Sequence, residues 1–469
     1  MLKTLANKKV KNQILFFKEF WELKEPVVKK FASKEMKLSK WEDGKIKLFL
    51  SHQNEATNYY ILVRYKNIES LKSKLDTLFI PQIKQVLDNV QKDFLLDLDI
   101  TDFDSDLKRN IGDLLALALY QFTKYKKPKT SYDVYIKDAS RKKKELEVMI
   151  ESLAFVRDIV NEPPSQINPQ SMEKVIKSKF GKLENVQIQV IKGEKLKKLG
   201  LGGIWAVGSG SVWEPRLVIL KYSPLKTQKP VALVGKWVTF DSWGYNIKPT
   251  GYIEDMKWDM AGAATVLGAL HYLATLKIKK NIIVAVPLVE NLVSDRAYKP
   301  GDIIKIYNGK TIEVGNTDAE WRLVLADALS YIQKNFKPSK IIDLATLTGA
   351  QIIATWTKIA ALMGKNSQLN QSIQTLSRDI YERVWELPLF EPYFETMKSA
   401  IADFNNVSNQ KWSPGTITAG LFLSQFVDIK DWVHIDIAWP AGIVGTQNGL
   451  YWPGATGFGM RILTYFLTK

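Results

Sequence analysis

Lysines and carboxylates crowd two short, otherwise apolar stretches of this chain. The segment GKWVTFDSWGYNIKP, followed by MKWDMAGAA, holds Lys236, Asp241, Lys248 and Asp259; the segment NTDAEWRL holds Asp318, Glu320 and Arg322. Charge in apolar surroundings persists only when it is paired or bound to a metal. Asp241, Asp259, Asp318 and Glu320 together carry four negative charges, which two divalent cations would balance. The charge count therefore favours a two-metal centre over a single ion. Each acid alone has a plainer role. Asp318, Glu320 and Asp259 all suit a helix start, and Asp241 suits a turn in DSWGYN. Their coincidence with Lys236, Lys248 and Arg322 is what raises the metal reading.

The residue types constrain the chemistry further. Asp318 and Glu320 are two apart, so in an extended segment both leave the same side of the backbone and can bridge a pair of cations. A lysine ligates a metal only as the neutral amine, a form that nearby dications favour; Lys236, beside the apolar run VALV, is the candidate. Lys248 and Arg322 are then electrophilic partners for an oxyanion or a small proton-accepting anion. Two adjacent metals can share a hydroxide and polarise a carbonyl at once, which is the chemistry of amide hydrolysis.

Elements that position these residues are legible in the hydrophobic pattern. VALV reads as a buried strand before Lys236, and Asp259 opens MAGAATVLGALHYLATL, of helical length and composition. Beyond residue 160, the runs VQIQVI, RLVILKY, VALVG, NIIVAVPLV, KIIDLATL and WVHIDIA alternate with helical segments starting at Met260, at Glu320 and near Thr416. That alternation predicts an α/β catalytic domain with a central, mostly buried sheet over 161–469. Residues 1–137 mix helical stretches such as IESLKSKLDTLFIPQIKQVLDNV with strand-like YYILVRY and YDVYI, predicting a small N-terminal α/β domain. A charged amphipathic segment over 138–160 reads as a helix linking the two. Both charged stretches fall where strands end or helices begin, the usual place for a site on such a fold.

Composition excludes several classes. The chain has no cysteine, so disulfides and thiolate metal sites are absent, in keeping with a reducing cytoplasm. Only His52, His271 and His434 supply imidazole, so oxygen ligands must dominate any metal site. No apolar run is long enough for a membrane helix, and the lysine-studded N-terminus reads as neither signal peptide nor anchor. The formal charge of +17 admits a nucleic-acid partner, yet the basic residues spread along the chain, and runs such as Lys142, Lys143 and Lys144 read as solvated helix faces.

At the charged residues the sequence closely resembles the leucyl aminopeptidase (cytosol aminopeptidase) family. The similarity extends over roughly 150–469 through RDIVNEPPSQINP, AVGSGS, ENLVSDRAYKPGDI, NTDAEWRLVLADAL, DLATLTGA, HIDIA and GATGFGMR. The resemblance implies that Lys236, Asp241, Asp259, Asp318 and Glu320 hold two divalent ions, Mn2+ or Zn2+, and that Lys248 and Arg322 are catalytic. Arg322 would hold a bicarbonate acting as general base, and Lys248 would support the oxyanion. Met256 and Gly349 would line the pocket for an apolar N-terminal side chain of a peptide substrate. A homohexamer is also implied.

One departure is consistent: Trp237, Trp243, Trp258, Trp321, Trp356 and Trp439 each stand where the family motif carries glycine. Glycine at such turns supplies positive φ or lets backbone approach a ligand. Three explanations compete. The tryptophans close the site and leave an impaired homologue with a structural or nucleic-acid-binding role, or compensating changes keep a reshaped active site. The third, which the selectivity of the change favours, is that UGA codons meaning glycine in the host stand here as tryptophan.

Overall fold

The computed structural model describes residues 1–469 except 5–9, 19–22, 24–25, 38–44, 54–55, 99, 129–130, 139–141, 248–249, 252, 255 and 444–449. Two compact units emerge: Met1–Ala154 with Gly445–Pro453, and Phe155–Val444 with Gly454–Lys469.

The first unit carries a six-stranded sheet in the order Leu2–Thr4, Val134–Lys137, Phe94–Asp97, Gln13–Phe17, Ala56–Arg64, Ile46–Gln53. Its pairs are parallel apart from the last, an antiparallel hairpin at the edge. The helical stretch foreseen over IESLKSKLDTLFIPQIKQVLDNV is present from Ile68 to Val90, with a π turn at Leu75–Phe79 just before Pro81. Proline lacks the N–H that would continue the ladder, so a local change of hydrogen bonding at this point has an identifiable cause. Ile80, Ile83 and Leu87 form the buried face of its last segment. The charged segment that follows forms a helix at Lys143–Asn161, starting later than the position 138 the sequence pattern indicates. The division between units falls inside this helix.

The second unit is built on a nine-stranded sheet. Its order is Val384–Glu386, Ala360–Gly364, Trp432–Asp436, Lys340–Ala345, Val231–Gly235, Ile282–Asn291, Arg216–Tyr222 and Val186–Lys192, with Trp237–Asp241 pairing alongside Ile282–Asn291. The four central strands, from Trp432–Asp436 to Ile282–Asn291, run parallel, and antiparallel pairs flank them. Every residue of Val231–Gly235 and of Ile282–Asn291 is buried, as expected of strands covered on both faces. The α/β class anticipated from the sequence is the class observed. Helices at Ala261–Thr275, Glu320–Phe336 and Gly415–Ser424 match the three helical segments foreseen.

Small residues set the spacing where it matters for function. A Cβ on Gly262 would lie 2.2 Å from the Leu344 carbonyl oxygen, and one on Gly235 would lie 2.4 Å from Cα of Ala263. Only glycine allows the Ala261–Thr275 helix to sit this close to the sheet. The close approach joins backbone to backbone: Ala263 N–H donates to the Lys236 carbonyl at 3.0 Å, and Val238 N–H donates to the Asp259 carbonyl at 3.1 Å. Lys236 and Asp259 are thereby brought together by packing, although 23 residues separate them. Among the described residues, no helix is long and apolar enough to cross a membrane.

Candidate metal centre

The charged residues converge at the carboxyl ends of the central parallel strands. Lys236 follows Val231–Gly235, Asp241 ends its short strand, Asp259 precedes the Ala261–Thr275 helix, and Glu320 opens the helix Glu320–Phe336. Asp241, Asp259 and Glu320 each offer a carboxylate oxygen within 4.8 Å of the others, and all three are buried. Lys236 Nζ donates to Asp259 Oδ1 at 2.5 Å and to the Thr346 carbonyl at 3.0 Å, and lies 3.4 Å from Glu320 Oε1. Its side chain is 1% exposed.

Electrostatics follow from this geometry. Burial by itself lowers the Lys236 pKa, but Asp259, Glu320 and Asp241 together outweigh it, and the net direction is upward. In the metal-free centre the ammonium of Lys236 is therefore the cation the carboxylates share. Arg322 is pushed down to about 9, chiefly by burial, against the opposing pull of Glu320 and Asp318. Its guanidinium lies 4.1 Å from the centre of the Trp321 ring and 5.6 Å from that of Phe422. Both contacts are within cation–π range. Tyr298 donates to the Thr317 carbonyl at 2.7 Å, and its phenol is driven well above its ordinary value by burial and then by Glu320, Asp241 and Asp318.

A cation fits this donor set. Three carboxylates share a buried space, and neither imidazole nor thiolate belongs to the group, so a hard or borderline dication is the matching class. His271 packs instead on Phe155 and Phe180, and His434 Nδ1 pairs with Asp343 Oδ1 at 2.5 Å in the sheet core. Asp318 stands outside the 4.8 Å trio, partly exposed on the turn Thr317–Ala319. Met256 lies on the turn Met256–Trp258 that leads into Asp259. Gly349 is exposed, and a Cβ on it would meet open space. Lys248 lies outside the described residues.

The six tryptophans fare differently. Trp237 is fully buried with its indole N–H donating to Thr239 Oγ1 at 2.8 Å, and Trp439 donates to the Gly349 carbonyl at 3.0 Å. Trp258 lies so close to Gly442 that a Cβ there would sit 2.4 Å from Cε3. Trp321 covers Arg322. The remaining two occupy backbone that suits glycine: Trp243 has φ 72°, and Trp356 has φ 59° and ψ −155°, a combination populated almost only by glycine.

Two positions escaped the sequence reading, the buried Asn291 and the half-buried Thr346. Asn291 donates from Nδ2 to Asp241 Oδ1 at 2.8 Å and to the Thr317 carbonyl at 3.0 Å, tying together the segments that carry Asp241 and Asp318. Thr346 touches both Lys236 and Asp259. Neither residue type signals chemistry, and their only sequence cue is a place at the end of a buried strand.

Comparison with known proteins gives one consistent result. Residues 154–464 match the cytosol aminopeptidase family, catalytic domain. The probable cytosol aminopeptidase of Cenarchaeum symbiosum is 42% identical over 361 residues, covering 75% of this chain and 73% of that protein. Its counterpart in Azotobacter vinelandii is 38% identical over 371 residues, covering 76% and 73%. Among solved structures, the cytosol aminopeptidase from Coxiella burnetii superposes with a TM-score of 0.85 at 29% identity, covering 99% of this chain and 98% of that one. The bottromycin maturation enzyme BotP in complex with Mn gives the same TM-score at 28% identity, covering 98% and 99%. Motif, fold and relatives agree, and the chain belongs to the cytosol aminopeptidase family of hydrolases.

Proposed function

We propose that this chain is a two-metal aminopeptidase that removes the N-terminal, preferably apolar and leucine-like, residue from peptides. The convergence of Asp241, Asp259 and Glu320 within 4.8 Å around the Lys236 side chain carries the reading. Lys236, Asp241, Asp259, Asp318 and Glu320 would hold two ions, Mn2+ or Zn2+. Bound there, they would polarise the scissile carbonyl and activate water. Arg322 supplies a buried cation to hold a bicarbonate that accepts a proton, and Lys248 supports the oxyanion. Met256 and Gly349 border the space for the first side chain. The working protein is a cytoplasmic homohexamer, with residues 1–137 as its N-terminal domain, 138–160 as the linking helix and 161–469 as the catalytic domain. Hydrolysis of leucine anilide by chelator-treated protein supplied with Mn2+ or Zn2+ tests the activity.

The impaired-homologue reading draws on one observation: the Trp321 ring lies 4.1 Å from the Arg322 guanidinium, where an anion would approach. Full metal binding without turnover would favour it, with a structural or nucleic-acid-binding role.

Lys236 also gives a pH prediction. Its neighbours raise its pKa, so at neutral pH it carries a proton that it must lose to become a ligand. Mn2+ affinity should therefore rise by about tenfold per pH unit between roughly 6.5 and 8 for the one proton released. Calorimetry at the two ends of that range checks it, and a flat profile would remove Lys236 from the ligand set.

A further inference from the structure

The geometry points to Thr346 as a positioning residue that fixes Lys236 and Asp259 against one another, with Asp436 as its buried anchor. This inference rests on the reading of Lys236 and Asp259 as metal ligands.

Thr346 follows the central strand Lys340–Ala345 and makes two bonds into the centre. Its hydroxyl donates to Asp259 Oδ1 at 2.8 Å, and its carbonyl accepts from Lys236 Nζ at 3.0 Å. Lys236 donates to the same Oδ1 at 2.5 Å, so three groups close a small ring and neither donor uses Oδ2. A threonine hydroxyl in a loop commonly bonds to its own neighbouring backbone. Here it reaches across 87 residues to a carboxylate. The β-branched side chain has few rotamers to choose from, which suits a fixed donor.

The loop bearing Thr346 is held from behind. Asp436, fully buried at the end of the adjacent strand, accepts from Leu347 N–H at 3.0 Å and Ala438 N–H at 3.1 Å through Oδ1, and from the Thr348 hydroxyl at 2.6 Å through Oδ2. The Thr348 hydroxyl lies 2.8 Å from that of Thr416 on the helix Gly415–Ser424. Ile437 N–H donates to the Ala345 carbonyl at 2.8 Å, continuing the strand pairing up to the residue before Thr346. With Ala345 and Leu347 both tied to the neighbouring strand's end, Thr346 has little freedom to turn away from Asp259. Residues that orient a ligand typically change metal affinity by about 10–100-fold when removed.

The test uses the full chain and Mn2+ alone, with affinity read by calorimetry and folding by the melting temperature of the metal-free protein. Thr346→Val keeps the shape and loses the hydroxyl; it should bind Mn2+ about 10–100-fold more weakly with little change in melting temperature. Thr346→Ser keeps the donor and should restore affinity to within a few-fold. Wild-type affinity in Thr346→Val, or an equal loss in Thr346→Ser, overturns the role of the hydroxyl. Should Thr346→Val fail to fold, the serine variant and Thr346→Ala decide the same question. Asp259→Asn separates the two levels of the claim. If that variant binds Mn2+ like wild type, or wild type binds none, the metal reading itself fails. If Asp259→Asn loses binding while Thr346→Val keeps it, only the positioning role is lost.

Discussion

Glu320→Gln should lose Mn2+ binding and leucine anilide hydrolysis together, while leaving the fold in place. Glutamine has nearly the shape of glutamate, and Glu320 is fully buried where its helix opens, so packing is preserved. What changes is charge. One of the three buried carboxylates that meet within 4.8 Å becomes neutral, and an amide oxygen replaces an anionic ligand. The loss should exceed the roughly 10–100-fold expected for a residue that merely orients a ligand. Calorimetry and the anilide assay report the two effects, and an unchanged circular dichroism spectrum excludes unfolding. A variant that binds Mn2+ as tightly as the parent would remove Glu320 from the centre.

The second large effect concerns the tryptophans. Replacing a buried tryptophan by a small residue ordinarily costs about 3–5 kcal/mol, and Trp432, fully buried with its indole N–H on Asp343 Oδ2 at 2.7 Å, should behave so when changed to glycine. Trp356 should do the reverse. It is 69% exposed and sits on backbone that suits glycine, so little packing is lost and strain of order 1–3 kcal/mol is relieved. Trp243 shares the positive φ and should follow the same sign. Denaturant unfolding of the single variants distinguishes the cases, and a Trp356→Gly variant markedly less stable than its parent would contradict the argument. The variant with glycine at 237, 243, 258, 321, 356 and 439 together should turn over leucine anilide faster than the parent, because Trp321 no longer stacks on Arg322 and the Gly349 carbonyl is freed from its bond to the Trp439 indole. Peptide masses of protein taken from its native host should show glycine at 237, 243 and 321. Tryptophan masses there would defeat the reassigned-codon explanation.

What the sequence made legible has a physical pattern. The apolar runs VALVG and NIIVAVPLV became strands buried along their whole length, because no polar face interrupts them. The trio Asp241, Asp259 and Glu320 was recognisable because buried carboxylates need partners, whatever the fold. Asn291, Thr346 and Asp436 were not, since uncharged polar residues and a lone aspartate at a strand end look alike whether they support a site or cap a turn. Their role depends on neighbours brought from 26 to 110 residues away. The protonation of Lys236 was equally hidden. It depends on three carboxylates arriving from three separate elements, and only their assembled geometry gives the direction of its shift.

The most direct test of the account is a Mn2+ titration of chelator-treated protein with leucine anilide hydrolysis recorded at each step, performed on the chain as written and on the six-glycine form. Activity that is absent without metal, rises with added Mn2+ and saturates near two ions per chain in at least one form is the predicted result. Absence of any metal-dependent turnover in both forms would contradict it.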